Sequence, residues 1–339
     1  MNYIYNVVQT SGGAELKIVA SVTSGALVTA TKGPLSVQAT SVNGTATLTV
    51  PEAGTWSVSA TLNGQTTTTE TVDVVDTYSA SLIFIDPVLN NNSWDAIKLA
   101  SDLGIASNYW SVGDRKKIVI NGNMGYQSFS NYETYAYIIG FNHNASVEGG
   151  NKIHFQLGIT ALSGGTNIAL CDSKYSSTGG NNDFVMFASS SNSSRGWTIS
   201  NIRTTLGQNK TNPASTSLMA ALPADLRAVL KSVDKYTVNS GTTASTTTDY
   251  LFLLSEKEVF GTISNTFADE GNYQEQYVYY SAGNSKVKYR HTTPSNTAIQ
   301  WLRSRNTSNS YSYVTIIGNG NVGFATSNYS NGIAPGFCV

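Results

Sequence analysis

The last part of the chain opens with Trp301-Leu302-Arg303-Ser304-Arg305 and closes with Ala334-Pro335-Gly336-Phe337-Cys338-Val339. Both ends are apolar and have the composition of core strands. Between them, Asn, Ser, Tyr and Gly surround one apolar run, Tyr313-Val314-Thr315-Ile316-Ile317. Tyr offers rigid contact area, and Ser, Gly and Asn offer adaptable hydrogen bonding, as in recognition surfaces. We therefore predict a domain built around the two ends, with the middle of the stretch forming surface loops.

The same two ends carry a resemblance to a known family. They resemble a domain of unassigned function found in phage tail proteins and gut-bacterial surface proteins, which is similar to the C-type-lectin-like fold of phage tropism determinants and formylglycine-generating enzymes. The resemblance covers roughly residues 78–339. It implies an α+β C-type-lectin-like domain. The further matching residues are 138–144, 153–156, Trp197, Arg203, Leu206, Leu222, Pro223 and 251–256.

Composition favours a protein that works outside cells. Charged residues make up only 12% of the chain and the net charge is -1, so nothing predicts nucleic acid or an anionic membrane as a partner. No stretch reaches the ~20 apolar residues of a membrane span. The start, Met1-Asn2-Tyr3-Ile4-Tyr5, lacks the basic and apolar regions of a signal peptide. We expect a virion protein, which is assembled in the host cytoplasm and leaves in the particle.

Residues 1–76 predict a β-sandwich that serves as a spacer or attachment domain. Period-two alternation marks strands near residues 16–22, 46–50 and 56–62. Asn-Gly pairs at 43–44 and 63–64 supply the positive φ of tight hairpins, and Trp56 is the expected core anchor between two sheets. The pattern is similar to bacterial immunoglobulin-like and prealbumin-like sandwiches. Tyr3, Tyr5 and Val7 also alternate as in a strand.

Residues 77–339 predict the second domain, so the expected fold class is mainly β with some α. Residues 78–85 read as its first strand, and residues 135–141 and 152–157 as central strands. Ser93, Ser200 and Ser255 are candidate helix caps, the last in a capping box with Glu258. Further predicted elements are one or two helices in residues 213–231, strands at 184–187 and 251–254, and a mobile Thr/Ser-rich segment at 238–249.

Two histidines flank one predicted loop. His143 and His154 suggest a metal site, but no Cys or carboxylate cluster lies beside them at metal-ligand spacing. One loop histidine and one hydrogen-bonded strand histidine is the favoured interpretation. We predict no metal and no cofactor.

Enzymatic motifs are missing from the sequence. No nucleophile elbow, zinc-protease helix or phosphate-binding loop occurs. Asp269, Glu270 and Glu275 are close in sequence, but a glycosidase needs two carboxylates at a set separation, which local density does not show. Cys338 lies next to the last residue and Cys171 in a predicted loop, so the activity of the formylglycine-generating relatives is not carried over. We predict that the protein is not an enzyme; whether the cysteines are free or bridged stays open, with free thiols favoured.

One strand shows a basic alternation. Lys286, Lys288 and Arg290 predict an edge strand with a solvated, charged face. A face that binds an acidic glycan or teichoic acid is the alternative.

The predicted function is attachment of a phage to its host. We expect a tail-fibre or spike subunit that binds a host-surface glycan or protein, pairs with other virion proteins, and forms a homo-oligomer, a trimer if it is a fibre. The alternatives are a capsid decoration or head-fibre protein without a dedicated receptor, and a bacterial surface adhesin. The candidate ligand-binding residues are those of two loop regions at 305–311 and 324–331, together with one tyrosine of the apolar run between them: Arg305, Asn306, Asn309, Tyr311, Asn328, Tyr329 and Tyr313.

Overall fold

The structure is a computed structural model that describes residues 15–176, 184–189 and 196–339. Strands hold 40% of the residues and helices 16%, which confirms the predicted class, mainly β with some α. The chain divides into two compact units, Met1–Ile85 and Asp86–Val339. The strand predicted around Tyr3, Tyr5 and Val7 lies outside the described residues.

The first unit is built from short strands in two sheets. One sheet has the order β4-β1-β8; the other has the order β3-β2-β5, and β6 and β7 both pair with β5. The strands are β1 (Lys17–Ser21), β2 (Leu27–Lys32), β3 (Leu35–Thr40), β4 (Thr45–Thr49), β5 (Gly54–Leu62), β6 (Gln65–Thr66), β7 (Glu70–Val74) and β8 (Thr77–Ser81).

Both sheets contribute to one hydrophobic core around Trp56. Ile18 and Leu48 reach it from the first sheet and Val28 from the second. Trp56 is fully buried, and its indole N–H donates to the Glu52 carbonyl at 3.1 Å, so the ring's one polar group is satisfied. The core anchor and the predicted strands are confirmed.

The strand predicted to open the second domain belongs instead to the first unit. β8 pairs in parallel with β1, with Tyr78 opposite Ile18 and Ala80 opposite Ala20. Ala80 and Leu82 belong to the core of the first unit. Alternation in sequence identifies a strand but carries no information about which sheet it joins.

The second unit contains short helices and most of the strands. The helices are α1 (Trp94–Asp102), α2 (Ala145–Glu148), α3 (Asn201–Leu206), α4 (Leu218–Ala221), α5 (Ala224–Val229), α6 (Glu256–Phe260), α7 (Ala268–Gly271) and α8 (Val278–Ser281). The strands are β9 (Arg115–Met124), β10 (Gln127–Phe141), β11 (Ile153–Ile159), β12 (Ile168–Ala169), β13 (Val233–Thr237), β14 (Ser245–Asp249), β15 (Leu251–Phe252), β16 (Lys288–Arg290), β17 (Thr293–Ala298), β18 (Gln300–Arg305), β19 (Ser312–Ile316), β20 (Val322–Thr326) and β21 (Gly336–Cys338). Single 3₁₀ turns lie at Leu89–Asn91, Ala106–Asn108 and Trp197–Ile199.

The last strand is an interior strand of the central sheet. The order is β15-β21-β11-β10-β9, and Phe337 pairs with Phe155 on one side and Leu251 on the other. The Phe155 and Phe337 rings stack at 5.2 Å between centroids. A Cβ on Gly336 would lie 2.6 Å from the Phe252 ring, so this position admits only glycine without a shift. The predicted burial of the chain's last strand is confirmed.

The predicted helix caps are present. The Ser93 hydroxyl accepts the Ala96 N–H at 3.1 Å, and the Ser200 hydroxyl accepts the Arg203 N–H at 3.2 Å. Ser255 forms the expected capping box with Glu258 at the start of α6. These signals are local, which is why sequence alone suffices to find them.

Two other local predictions are wrong. The strand predicted at residues 184–187 is absent. These residues are buried, but their backbone forms bends at 184–186 and no strand. The segment predicted to be mobile, residues 238–249, ends in strand β14. This strand pairs with β13 over five residues, with Val233 opposite Asp249 at one end and Thr237 opposite Ser245 at the other. Ser and Thr lower the apolar signal of a strand, but a hairpin partner satisfies its backbone all the same.

Candidate functional site

Two loops meet at one end of the three-stranded sheet β18-β19-β20. Loop A (residues 306–311) connects β18 to β19 and is closed by the Asn306 N–H donating to the Ser312 carbonyl at 3.0 Å. Loop B (residues 327–331) follows β20. The Ser327 N–H donates to the Tyr311 carbonyl at 2.8 Å, so the two loops lie side by side.

Four predicted binding residues are accessible on these loops. Tyr311 is 46% exposed and Tyr329 is 37% exposed. Asn309 is also exposed and Asn328 is half-buried. Their role in binding stays a prediction, but their position allows it.

The other three predicted residues are buried, so they cannot offer a surface to a ligand. Tyr313 packs edge-on against Trp301 at 6.4 Å. The Asn306 side-chain oxygen accepts the N–H groups of Ser308 and Asn309, both at 2.8 Å, so it shapes loop A from inside. The Arg305 guanidinium lies 5.4 Å from the Phe267 ring centre. Strand β18 is buried along its whole length, which alternation alone does not predict.

A third segment supports loop A from below. Thr307 donates its N–H to the Asn265 carbonyl at 2.8 Å. Glu256, fully buried, accepts the N–H groups of Ser264 at 3.0 Å and Thr266 at 2.8 Å, and that of Asn265 at 3.0 Å. A buried carboxylate thus fixes the backbone that holds loop A. No capping or turn motif in the sequence indicates these contacts, since Glu256 lies 8 to 10 residues from its partners and Thr307 lies 42 residues from Asn265.

Loop B is held from the other side by residues 172–176 and by Phe187. The Ser330 hydroxyl donates to the Asp172 carboxylate at 2.7 Å, and the Ser176 N–H donates to the Ser330 carbonyl at 2.7 Å. The Phe187 N–H donates to the Ser327 carbonyl at 3.0 Å. Both loops are therefore tied to a buried scaffold.

A cluster of four charges lies in the core of the second unit. The Lys235 ammonium donates to both oxygens of Glu148 at 2.8 Å and to Glu258 at 2.9 Å. Arg303 binds Glu258 with two N–H groups, one of them at 3.0 Å. The Lys235 ammonium also lies 3.0 Å from the Tyr277 hydroxyl, its fourth oxygen neighbour. Two positive and two negative groups balance, which is the condition for burying charge.

Burial and the neighbouring charges move the carboxyl pKa values in opposite directions. Burial opposes the ionisation of Glu258, but Arg303 and Lys235 outweigh it and hold its pKa well below the usual range. For Glu148, burial is the largest effect and raises the pKa, although Lys235 acts against it. Glu258 is therefore the firmly ionised member of the cluster.

The cluster contains the one grouping among the described residues that has metal-ligand geometry. Ligand atoms of His143, Glu148 and Glu258 all lie within 4.8 Å of one another. The Lys235 ammonium already contacts both carboxylates at 2.8–2.9 Å, where a metal would bind. The His143 ring stacks on Tyr277 at 3.7 Å, and burial lowers its pKa to about 3. The group is thus a protein ion cluster with its own cation.

Cys338 and His154 form a buried contact beside the cluster. The thiol sulfur lies 3.2 Å from His154 Nδ1. Burial raises the pKa of the Cys338 thiol far above its usual range and lowers that of His154 well below 6.5. A nucleophilic cysteine needs a lowered pKa and access, and this one has neither. Both Cys338 and Cys171 are free thiols in the structure, and both are buried.

The predicted solvated basic face of β16 is wrong. Lys288 is fully buried and donates to the Tyr137 hydroxyl at 2.8 Å. The Arg290 guanidinium lies over the Tyr175 ring at 4.1 Å, and Lys286 lies 5.7 Å from the Phe260 ring centre. The three cations pack against aromatic rings, so they do not form an open basic surface.

Lys288 makes stability depend on pH. Burial lowers its pKa from 10.5 to about 7, so between these values the unfolded chain holds a proton that the folded protein lacks. Stability then rises as pH increases through this window. We expect Lys288→Met to increase the free energy of unfolding at pH 7 by about 1–3 kcal/mol and to remove that rise. A pKa shift corresponds to ~1.4 kcal/mol per pKa unit. The expected gain in the free energy of unfolding is smaller than the whole shift would give, because the substitution also removes the hydrogen bond to Tyr137.

Urea unfolding at pH 7 and pH 9 measures this effect. Lys286→Met is the matched control, because Lys286 is only partly buried; it should keep the slope of the parent. A Lys288→Met protein that gains stability with pH as steeply as the parent would show that Lys288 is charged when folded.

Two open surface cavities lie elsewhere in the second unit. They have volumes of about 430 and 450 Å³ and share Asn90 in their lining. Neither cavity is lined by a residue of the two loops or of the charge cluster. The ionisable groups of the cluster therefore do not line either of these two cavities.

The second unit is therefore an α+β domain that presents two supported loops above a buried ionic core. Residues 181–339 match the family profile of a domain of unknown function (DUF6273). Neither the curated proteins nor the solved structures gave a match to this chain. The matched region contains β21 and β15 but not β9, β10 and β11, with which they form the central sheet. Within the part of the chain that the structure describes, every helix falls short of the length and apolar character needed to cross a bilayer.

Proposed function

We propose that the protein is a non-enzymatic binding subunit of a phage virion, a tail-fibre or spike protein that attaches to the host surface through loops A and B. The observation that carries this proposal is the pair of adjacent loops that expose Tyr311 and Tyr329 while their backbones are bonded to each other and to the core. Fixed loops on a rigid scaffold are the usual place for recognition.

Rigidity is what makes the loops suitable for binding. A ligand that meets an already ordered loop does not have to supply the free energy of ordering it. Glu256 orders the support of loop A, Asn306 orders loop A itself, and Asp172 anchors loop B. The exposed aromatic rings therefore project from backbone that is fixed before binding.

The setting of this surface is supported by the resemblance and by composition. A low-charge chain with a sandwich unit before a recognition unit suits a fibre or spike, in which other virion proteins and further copies of the chain are the partners. A trimer is the arrangement we expect for a fibre. We place the protein in the extracellular particle.

Removing both exposed tyrosines tests the binding role. We expect Tyr311→Ala/Tyr329→Ala to weaken binding of labelled protein to host cells by at least about tenfold, since buried aromatic anchors are common hot spots of at least ~2 kcal/mol. Stability should change by only about 0.5 kcal/mol per site, because both rings are exposed. Cell-binding titrations on a panel of candidate bacteria, together with thermal unfolding, measure the two quantities.

Tyr126→Ala is the matched control, since Tyr126 is 67% exposed and belongs to the turn between β9 and β10 and to neither loop. It should bind like the parent. If the double variant also binds like the parent, the surface lies elsewhere. If the parent binds no bacterium of the panel, the alternative of a decoration or head-fibre protein without a receptor gains support over attachment.

A further inference from the structure

We propose that the ligand of loops A and B is an uncharged saccharide. This inference rests on the proposed function and adds the chemical class of the ligand.

Four segments form one continuous rim. Loop B is bonded to residues 187–189 through the Phe187 N–H and, at 3.5 Å, through the Ser327 hydroxyl to the Ser189 carbonyl. Loop B is bonded to loop A through Ser327 and Tyr311, and loop A to residues 262–265 through Thr307 and Asn265. These hydrogen bonds connect the four segments in an unbroken series, so their backbones are neighbours.

The described residues of these segments carry no formal charge. Residues 188–189, 262–265, 307–311 and 324–329 contain no Asp, Glu, Lys, Arg or His. The carboxylates of Glu256 and Asp172 hold the loops from beneath and are 0% and 5% exposed. A polyanion such as teichoic acid or nucleic acid would need cations at the contact, and a cationic ligand would need anions.

The exposed groups match the two kinds of surface on a sugar ring. A pyranose has an apolar face of C–H groups, which packs on aromatic rings, and a rim of hydroxyl groups, which both donate and accept hydrogen bonds. Tyr311 and Tyr329 are 46% and 37% exposed. The Asn309 side-chain oxygen accepts the Tyr311 N–H at 2.9 Å, which leaves its amide NH₂ group as a donor to a ligand. Ser308 and Ser310 add exposed hydroxyl groups.

The test uses full-length protein and the cells that it binds. Cells of a bound strain are treated with periodate, which cleaves sugar diols, or with proteinase K, and binding is titrated at 50 and 500 mM NaCl. Polysaccharide from the same strain is separated by anion exchange, and the neutral flow-through and the retained anionic fraction are used as competitors. Parent protein, Tyr311→Ala/Tyr329→Ala and Tyr126→Ala are compared.

An uncharged saccharide predicts one set of results. Periodate should abolish binding and proteinase K should not, the neutral fraction should compete, and salt should change the affinity less than about twofold, because no counterions are released. The double variant should lose at least tenfold in affinity for the neutral fraction, and Tyr126→Ala should not.

Other results overturn the inference and separate it from the proposed function. Loss of binding after proteinase K, with resistance to periodate, means that the loops recognise a protein, and attachment stands without the saccharide. Competition by the anionic fraction alone, with a steep salt dependence, means a charged glycan. Binding that survives the double tyrosine substitution removes the surface itself, and with it the proposed function.

Discussion

Arg303→Met should destabilise the second unit by about 3–5 kcal/mol, the usual cost of leaving one partner of a buried ion pair without the other. The variant leaves Glu148 and Glu258 to share the single cation Lys235. It also removes the donors to the Leu253 carbonyl at 2.7 Å and the Thr237 hydroxyl at 3.2 Å. Urea unfolding followed by tryptophan fluorescence measures the loss. Trp94, Trp110, Trp197 and Trp301 report on the second unit, against Trp56 alone in the first.

A double substitution shows whether charge or packing causes the loss. Arg303→Met/Glu258→Gln restores the balance of one positive and one negative group, so it should recover part of the stability, with a coupling above about 1 kcal/mol. Lys98→Met is the control for removing a cation, because the Lys98–Asp102 pair is 42% and 39% exposed; it should cost less than about 1 kcal/mol. An Arg303→Met protein as stable as the parent would mean that the cluster contributes no net stability.

Deleting residues 335–339 should abolish the folding of the second unit. The deletion removes β21 from between β15 and β11, so the backbone groups of two neighbouring strands lose their partners inside a buried sheet. It also removes the Phe337 ring, which packs on Phe155 at 5.2 Å and on Trp94 at 6.2 Å. We expect the cooperative fluorescence transition of the second unit to disappear and the protein to bind a hydrophobic dye.

Phe337→Ala provides the graded comparison for the deletion. It keeps the β21 backbone and removes only the ring, so it should cost about 3–5 kcal/mol while the second unit still folds. A deletion variant that unfolds as cooperatively as the parent would contradict an interior role for β21.

The charge cluster and the recognition loops are mechanically connected through β18. Arg303 belongs to the cluster, and the next residue, Ser304, accepts the Glu256 N–H at 3.0 Å and donates to Glu270. Glu256 in turn orders residues 264–266 below loop A. Buried charged groups therefore support the backbone of loop A, whose first residue, Asn306, comes three residues after Arg303.

The helix caps and tight turns of this protein can be predicted from its sequence. The hydroxyl caps at Ser93, Ser200 and Ser255 depend on atoms three residues away, and the Asn63-Gly64 turn depends on positive φ at both positions. The apolar composition around Phe337 is enough to predict its burial, because transfer from water is a property of the side chain. The sequence also places Tyr311 and Tyr329 in two polar, Gly- and Asn-rich segments.

Tertiary structure alone decided the rest. β8 pairs with β1, and Lys288 is buried against Tyr137. Arg305, Asn306 and Tyr313 were expected to be exposed and are buried. Each outcome depends on partners far away in the chain, and the spacing of residues in one segment does not encode those partners. The sequence therefore predicted the helix caps and most of the strands, but it placed a strand at residues 184–187 and missed β14. Packing determined which side chains face solvent, because a side chain is buried only where a second surface covers it.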